Sequence, residues 1–276
     1  MTKAWILSTE ANMAAVIKAG RRAFDEWVIG KMDSRSDDWF LMGSIWHAVA
    51  ILALYLYFVK HLGPNLMKNR PAFKLEGLMK AYNLLQIITN VYMLLLSLDA
   101  AWAFKYKWVC EPVDYSRTPS AYYALKGVWT YLMIKVLDLM DTVFIVLRKK
   151  DSQASFLHVY HHGGMFVLAW AATKYLPGGH LTLLGPVNSF VHIVMYTYYF
   201  ITATWPEFRN KLWWKRHLTE MQMIQFLVIF LHSSLVFTQE TCAYPKPFAL
   251  VHVIQCGVMF FLFLDFYLKT YRKKAS

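Results

Sequence analysis

At 276 residues, 57% of them hydrophobic and 17% charged, the chain is too apolar for a soluble domain of its size. Its 11 Trp, 17 Tyr and 19 Phe, with long stretches almost free of charge, indicate a polytopic membrane protein. A net charge of +12 would suggest a nucleic-acid partner in a soluble protein. Here lysine and arginine crowd into the loops between apolar runs, as topology requires, and no nucleic acid is expected.

In chain order, residues 1–38 form a tail with six basic and six acidic residues and no clean apolar core, so no signal peptide is expected. Seven apolar segments follow, near 39–60, 78–98, 121–147, 159–175, 181–203, 217–238 and 248–269. A helix needs about 20 mostly apolar residues to span the hydrocarbon. The third segment is polar for a span, and the turn Leu176-Pro177-Gly178-Gly179 separates the fourth from the fifth.

Charge sets the orientation. Basic residues gather after the first span (Lys60, Lys68, Arg70, Lys74, Lys80), the third (Arg148, Lys149, Lys150), the fifth (Arg209, Lys211, Lys215, Arg216) and the last (Lys269, Arg272, Lys273, Lys274). The alternate loops are poorer in them. By the positive-inside rule the basic loops and the C-terminus are cytosolic and the N-terminus lumenal. The expectation is an all-α integral membrane protein: a lumenal tail (1–38), seven transmembrane helices enclosing a polar, histidine-lined chamber (39–269), and a basic cytosolic tail (270–276). Lys273 and Lys274 look like a dilysine retrieval signal for the endoplasmic reticulum, although a basic tail satisfies topology alone. Cys110 and Cys242 both fall in loops assigned to the lumen, an oxidising space where a disulfide between them is expected. Cys256 lies inside the last span.

Three constellations carry chemistry. His158, His161 and His162 stand at i, i+3, i+4, which puts three imidazoles on one helical face at the mouth of a membrane segment. Buried histidines there are costly, so the cluster is a functional site or, more blandly, a hydrogen-bonded structural one. In the third span Lys135, Asp138, Asp141 and Thr142 form a stripe, tolerable only when paired with one another or with the histidines. That stripe reads either as a structural ion network or as support in which Asp141 accepts a histidine proton. In the fifth span Asn188, His192, Met195 and Tyr199 share a face and are expected in the same chamber. Gln222 and Gln225 in the sixth line it or bond between helices.

Taken together, these stretches resemble the elongation of very long-chain fatty acids family, the membrane condensing enzymes of microsomal chain extension. The family's histidine box is met by His158, His161 and His162. Its lysine–acid–aspartate–threonine box is met by Lys135, Asp138, Asp141 and Thr142, with Asp138 where the family usually has Glu. Its asparagine–histidine–methionine–tyrosine box falls on Asn188, His192, Met195, Tyr196, Tyr198 and Tyr199, and its threonine–glutamine box on Thr219, Gln222 and Gln225. Lys68-Asn69-Arg70-Pro71 and Tyr82-Asn83 also resemble family stretches. Gln153 to His158 resembles the branch acting on long polyunsaturated or very long saturated chains; acyl chain length stays open.

The resemblance implies an endoplasmic-reticulum enzyme that joins acyl-CoA to malonyl-CoA, giving a 3-ketoacyl-CoA, carbon dioxide and CoA. No bound cofactor or metal is expected. The ketoreductase, dehydratase and enoyl reductase of the elongation cycle are the expected partners, and a homo-oligomer stays open. His161 is expected to be acylated, His192 to assist decarboxylation or hold the enolate, and His158 and His162 to orient the rings with Asp141 behind them. Arg148, Lys149, Lys150, Lys211, Lys215 and Arg216 are expected to meet the CoA phosphates. Two competing readings remain. A di-iron desaturase needs more clustered histidines than the scattered His47, His61, His180, His192, His217, His232 and His252 supply. A transporter fits the spans but gives no reason for the HxxHH pattern.

Overall fold

The computed structural model describes residues 29–210 and 212–272, with isolated positions 13, 18, 20 and 21 before them. Lys211, Lys273 and Lys274 lie outside the described residues. Among the described residues there is no strand, and seven long helices carry the architecture: α1 (Ile45–Met67), α2 (Glu76–Trp102), α3 (Pro119–Leu147), α4 (Phe156–Tyr175), α5 (Leu184–Thr204), α6 (Leu212–Ser234) and α7 (Lys246–Tyr267). Four of them, α1, α2, α6 and α7, are long and apolar enough to cross a membrane by length and composition. The protein is an integral membrane protein.

Local chemistry sets the helix ends. Ser44 caps α1, its hydroxyl accepting from Trp46 N–H at 3.2 Å, so the helix starts after the apolar stretch 39–42 that the sequence assigned to the first span. Leu41 has φ 69° in that stretch and breaks any helix there. Beyond the expected end at residue 60, α1 continues through a π turn, Phe58–Leu62, in which Gly63 N–H bonds back to Phe58. The π turn brings in Pro64 at a junction where its missing N–H leaves no gap. A Cβ at Gly63 would stand 2.6 Å from Val146, so only glycine allows α1 this close to α3. Thr118 caps α3, with Pro119 at its first position.

Contacts between neighbours close α2 to α7 into a ring, in the order α2–α3–α4–α7–α6–α5 and back to α2, while α1 lies outside against α3 and α4. Because successive helices alternate in direction, the ring has two distinct ends. One carries the basic connections α1–α2, α3–α4 and α5–α6. The other carries Cys110 and Cys242, joined in a disulfide with Cα atoms 5.8 Å apart. At this disulfide end residues 33–41 fold back as a strap. Asp33 N–H bonds to the Lys174 carbonyl, Asp37 pairs with the buried Lys174 ammonium at 2.5 Å, and Trp129 and Trp170 donate to the carbonyls of Phe40 and Leu41. The turn before α5 is built on Gly178 (φ 139°) and Gly179 (φ 76°), where Glu111 O accepts from His180 N–H.

Candidate active site

Ser155 caps α4, accepting from His158 N–H at 3.3 Å, so the helix begins just before the HxxHH stretch and its first turns carry the three imidazoles. His158 and His162, one turn apart, bring their ring centroids to 4.2 Å, and His161 meets His162 edge-on at 5.6 Å. The ring of His161 also stands 6.3 Å from Phe226 on α6 and 6.3 Å from Phe263 on α7. Three helices therefore surround it.

The facing wall is an ion-paired network across four helices. Lys135 Nζ donates to Asp138 Oδ2 and to Asn188 Oδ1, each at 2.8 Å, and lies 4.7 Å from the Tyr131 ring centroid. Tyr131 Oη donates to Asn188 Oδ1 at 3.0 Å, and Asn188 Nδ2 to Gln225 Oε1 at 3.4 Å. From α2, Gln86 Nε2 donates to Asp138 Oδ1 at 2.8 Å and to Tyr82 Oη at 2.7 Å. Lys135, Asp138, Gln86 and Asn188 are all at most 3% exposed, so pairing is what makes the buried charge tolerable. Asp138, one methylene shorter than the usual Glu, still reaches its lysine and a glutamine donor. His192 Nδ1 is 3.9 Å from Asp138 Oδ2, beyond hydrogen-bond range.

Several side chains depart from the expected arrangement. Asp141, expected behind the histidines, accepts from Tyr196 Oη at 2.6 Å. Histidine contact belongs to Thr142, whose Oγ1 is 3.0 Å from His158 Nε2. One residue along a helix is about 100° of rotation, which turns Thr142 toward α4 and Asp141 toward α5. Of the two tyrosines expected in the chamber, Tyr196 is fully buried there, whereas Tyr199 is 43% exposed with its ring 6.0 Å from that of Tyr196. Gln222 Nε2 meets Met195 Sδ at 3.6 Å, between α6 and α5. Beyond α3, Lys149 and Lys150 are exposed and Arg148 half-buried. Lys215 and Arg216 are exposed near the start of α6, Arg216 paired with Glu220 and Tyr267 at 2.8 Å each. Among the described residues no three His, Cys, Asp or Glu side chains gather as a metal ion would require.

Sequence reasoning missed Gln86, Tyr131 and Tyr55 as site residues. Asn83, Gln86 and Asn90 are a buried polar stripe at i, i+3 and i+7 in an otherwise apolar helix, a signal that was available. Tyr131 and Tyr55 carry none, because tyrosine in a membrane helix reads equally well as an interface residue.

An apolar cavity of about 140 Å³ adjoins the network at Tyr131 and runs to Tyr106, Tyr244 and His252 at the disulfide end. Small residues make room for it: Ala100, Ala124, Gly127, Ala169, Ala172 and Gly185 are all in its lining.

Helices ringed about four imidazoles, a buried lysine–aspartate pair and an adjoining apolar slot define a membrane protein with a preorganised polar chamber. The chain belongs to the GNS1/SUR4 (ELO) family, whose model matches residues 40–276. It is 41% identical over 254 residues to very long chain fatty acid elongase 7 of Drosophila melanogaster, covering 91% of this chain and 77% of that protein. Elongase 7 of Rattus norvegicus is 40% identical over 253 residues (91% of this chain, 90% of that one), and elongase 1 of Homo sapiens 40% over 248 (89% and 88%).

Proposed function

We propose that the chain is a very-long-chain fatty acid elongase of the endoplasmic-reticulum membrane, condensing a long-chain acyl-CoA with malonyl-CoA through an acyl-histidine intermediate. In this reading all seven long helices span the bilayer, the basic end faces the cytosol and the disulfide end the lumen. Family membership and elongase-named relatives along most of the chain support the reaction; the chamber supports the mechanism.

The observation that carries the mechanism is a set of buried ring nitrogens with no hydrogen-bond partner among the described residues: Nδ1 of His161, of His162 and of His192. A buried unpartnered nitrogen costs free energy unless something else occupies it, and bound substrate would. His161 attacks the acyl thioester, forming an acyl-imidazole and releasing the CoA thiolate. Malonyl-CoA then loses carbon dioxide, and its enolate takes the acyl group from His161, leaving the imidazole free. His192 stands ready to hold the enolate oxygen, with the Lys135–Asp138 pair fixing local charge. Free cysteine is a poor substitute: Cys256 is buried in α7 and Cys110 and Cys242 are tied together. The tail occupies the apolar slot toward the lumen. Lys149, Lys150, Lys215 and Arg216, with Arg148 and Lys211, meet the CoA phosphates on the cytosolic side. A 3-ketoacyl product requires a ketoreductase, a dehydratase and an enoyl reductase to consume it.

Incubated with acyl-CoA alone, the wild-type enzyme releases free CoA and gains the acyl mass on His161. His161→Ala abolishes both that and carbon dioxide release from malonyl-CoA while remaining membrane-inserted. Acylation at Cys256, or full turnover by His161→Ala, refutes the histidine nucleophile.

A further inference from the structure

α1 stands outside the ring, yet one of its side chains reaches the histidines. Tyr55 is 6% exposed in a helix whose neighbouring residues are almost all apolar, and its phenol oxygen lies 2.8 Å from Thr142 Oγ1. Thr142, fully buried on α3, stands 3.0 Å from His158 Nε2 in turn. α1 packs directly on α4 here: a Cβ at Gly163, just after the histidine stretch, would be in ordinary contact with Leu52 at 3.4 Å and with the Tyr55 ring at 3.7 Å. Three helices thus supply one hydrogen-bonded chain that ends on a histidine, with no charged group in it.

The direction of the chain follows from counting hydrogens. Thr142 Oγ1 has these two partners and no other described one. Were its proton given to Tyr55, the buried phenol hydrogen would have no acceptor. Were His158 to donate from Nε2, the Thr142 hydrogen would face the same lack. The arrangement that gives both hydroxyl hydrogens an acceptor has Tyr55 donating to Thr142 and Thr142 donating to His158 Nε2. Nε2 is then an acceptor and the ring proton sits on Nδ1. Because the His158 ring centroid lies 4.2 Å from that of His162, and His162 meets His161 edge-on at 5.6 Å, the same chain also sets the orientation of the neighbouring rings.

We propose that Tyr55 is a positioning residue: through Thr142 it fixes the tautomer and orientation of His158 and so holds the histidine cluster in its reactive arrangement. This rests on the condensing reading of the chamber and gives α1, which has no place in the ring, a part in the chemistry.

The test removes one oxygen. Tyr55→Phe keeps the ring and its packing, and lowers kcat about tenfold with KM for both CoA substrates unchanged. Thr142→Val lowers kcat at least as much, and the double variant is no worse than Thr142→Val alone, because the two hydroxyls act as one unit. Thr142→Ser, which retains the hydroxyl, recovers most of the loss seen in Thr142→Val. Full kcat in Tyr55→Phe, or losses that multiply in the double variant, overturns the proposal. Solid-state 15N spectra of histidine-labelled protein read the His158 tautomer without turnover. Nδ1 protonation in wild type that is lost or mixed in Tyr55→Phe is the expected result, and an identical His158 signal in the two proteins overturns the proposal. If wild type releases no carbon dioxide from malonyl-CoA, the condensing reading fails, and these spectra still decide the role of Tyr55.

Discussion

The two ends of the helix ring are held by different physics. The disulfide end is cross-linked: the Cys110–Cys242 bond, the strap over α3 and α4, the buried Lys174 ammonium and the Tyr115 hydroxyl on the Tyr175 carbonyl all tie one element to another. At the basic end Tyr267 of α7 bonds to Arg216 and Glu220 of α6, but the ion pairs are local, Lys269 with Asp265 and the Arg216–His217–Glu220 group, with basic side chains 57–66% exposed. Exposed i,i+3 and i,i+4 pairs contribute little to stability. Rigidity is thus concentrated where the apolar slot ends and charge where a polar substrate head would arrive. Between them lies the chamber, buried and paired. Variants at the disulfide end should therefore change stability, and variants at the basic end should change substrate affinity.

The largest expected loss of stability comes from opening the disulfide. It closes a chain separation of 132 residues, and a loop of that length is worth about 5 kcal/mol in the chain-entropy picture. Cys110→Ser with Cys242→Ser should lower the melting temperature in detergent sharply, with KM for acyl-CoA at low temperature unchanged. Non-reducing peptide mapping of the wild type should recover the linked pair. Free thiols that label from the cytosol would break both the bridge and the orientation.

Next is the Lys174–Asp37 pair, where the two partners are not equivalent. Lys174 is 2% exposed at its side chain and Asp37 55%. Asp37→Asn leaves a buried ammonium uncompensated and should cost about 3 kcal/mol. Lys174→Met leaves only a solvated carboxylate and should cost clearly less. Thermal melts of the two variants side by side decide it; equal losses would show that the strap is held by its backbone bonds instead.

The smallest expected effect on stability, and the most telling for the comparison, is at the basic end. Neutralising Lys149, Lys150, Lys215 and Arg216 together should leave the melting temperature nearly unchanged. KM for acyl-CoA should rise about tenfold and lose its dependence on ionic strength. Unchanged KM with an unchanged salt response would mean that CoA docks elsewhere.

The amino-acid sequence by itself determined the all-helical membrane class, the approximate position of every long helix and the histidine and lysine–aspartate motifs of the polar chamber, though not Gln86 or Tyr131. Those are properties of local composition and of the 3.6-residue repeat: apolar runs have to leave water, and His158, His161 and His162 share a face wherever they lie on a helix. Family-level chemistry was legible for the same reason, because its boxes are short local patterns. Tertiary structure decided the rest. Which of two adjacent side chains, Asp141 or Thr142, meets a histidine depends on how α3 is rotated against α4 and α5. That Tyr196 fills the chamber while Tyr199 sits at its rim depends on the same kind of rotation in α5. That α1 lies outside the ring and still contributes Tyr55 depends on a π turn and on the close approach of Gly63 to Val146. A rotation of one helix costs nothing that its own sequence can register; it is set by the fit of side chains contributed from tens of residues away.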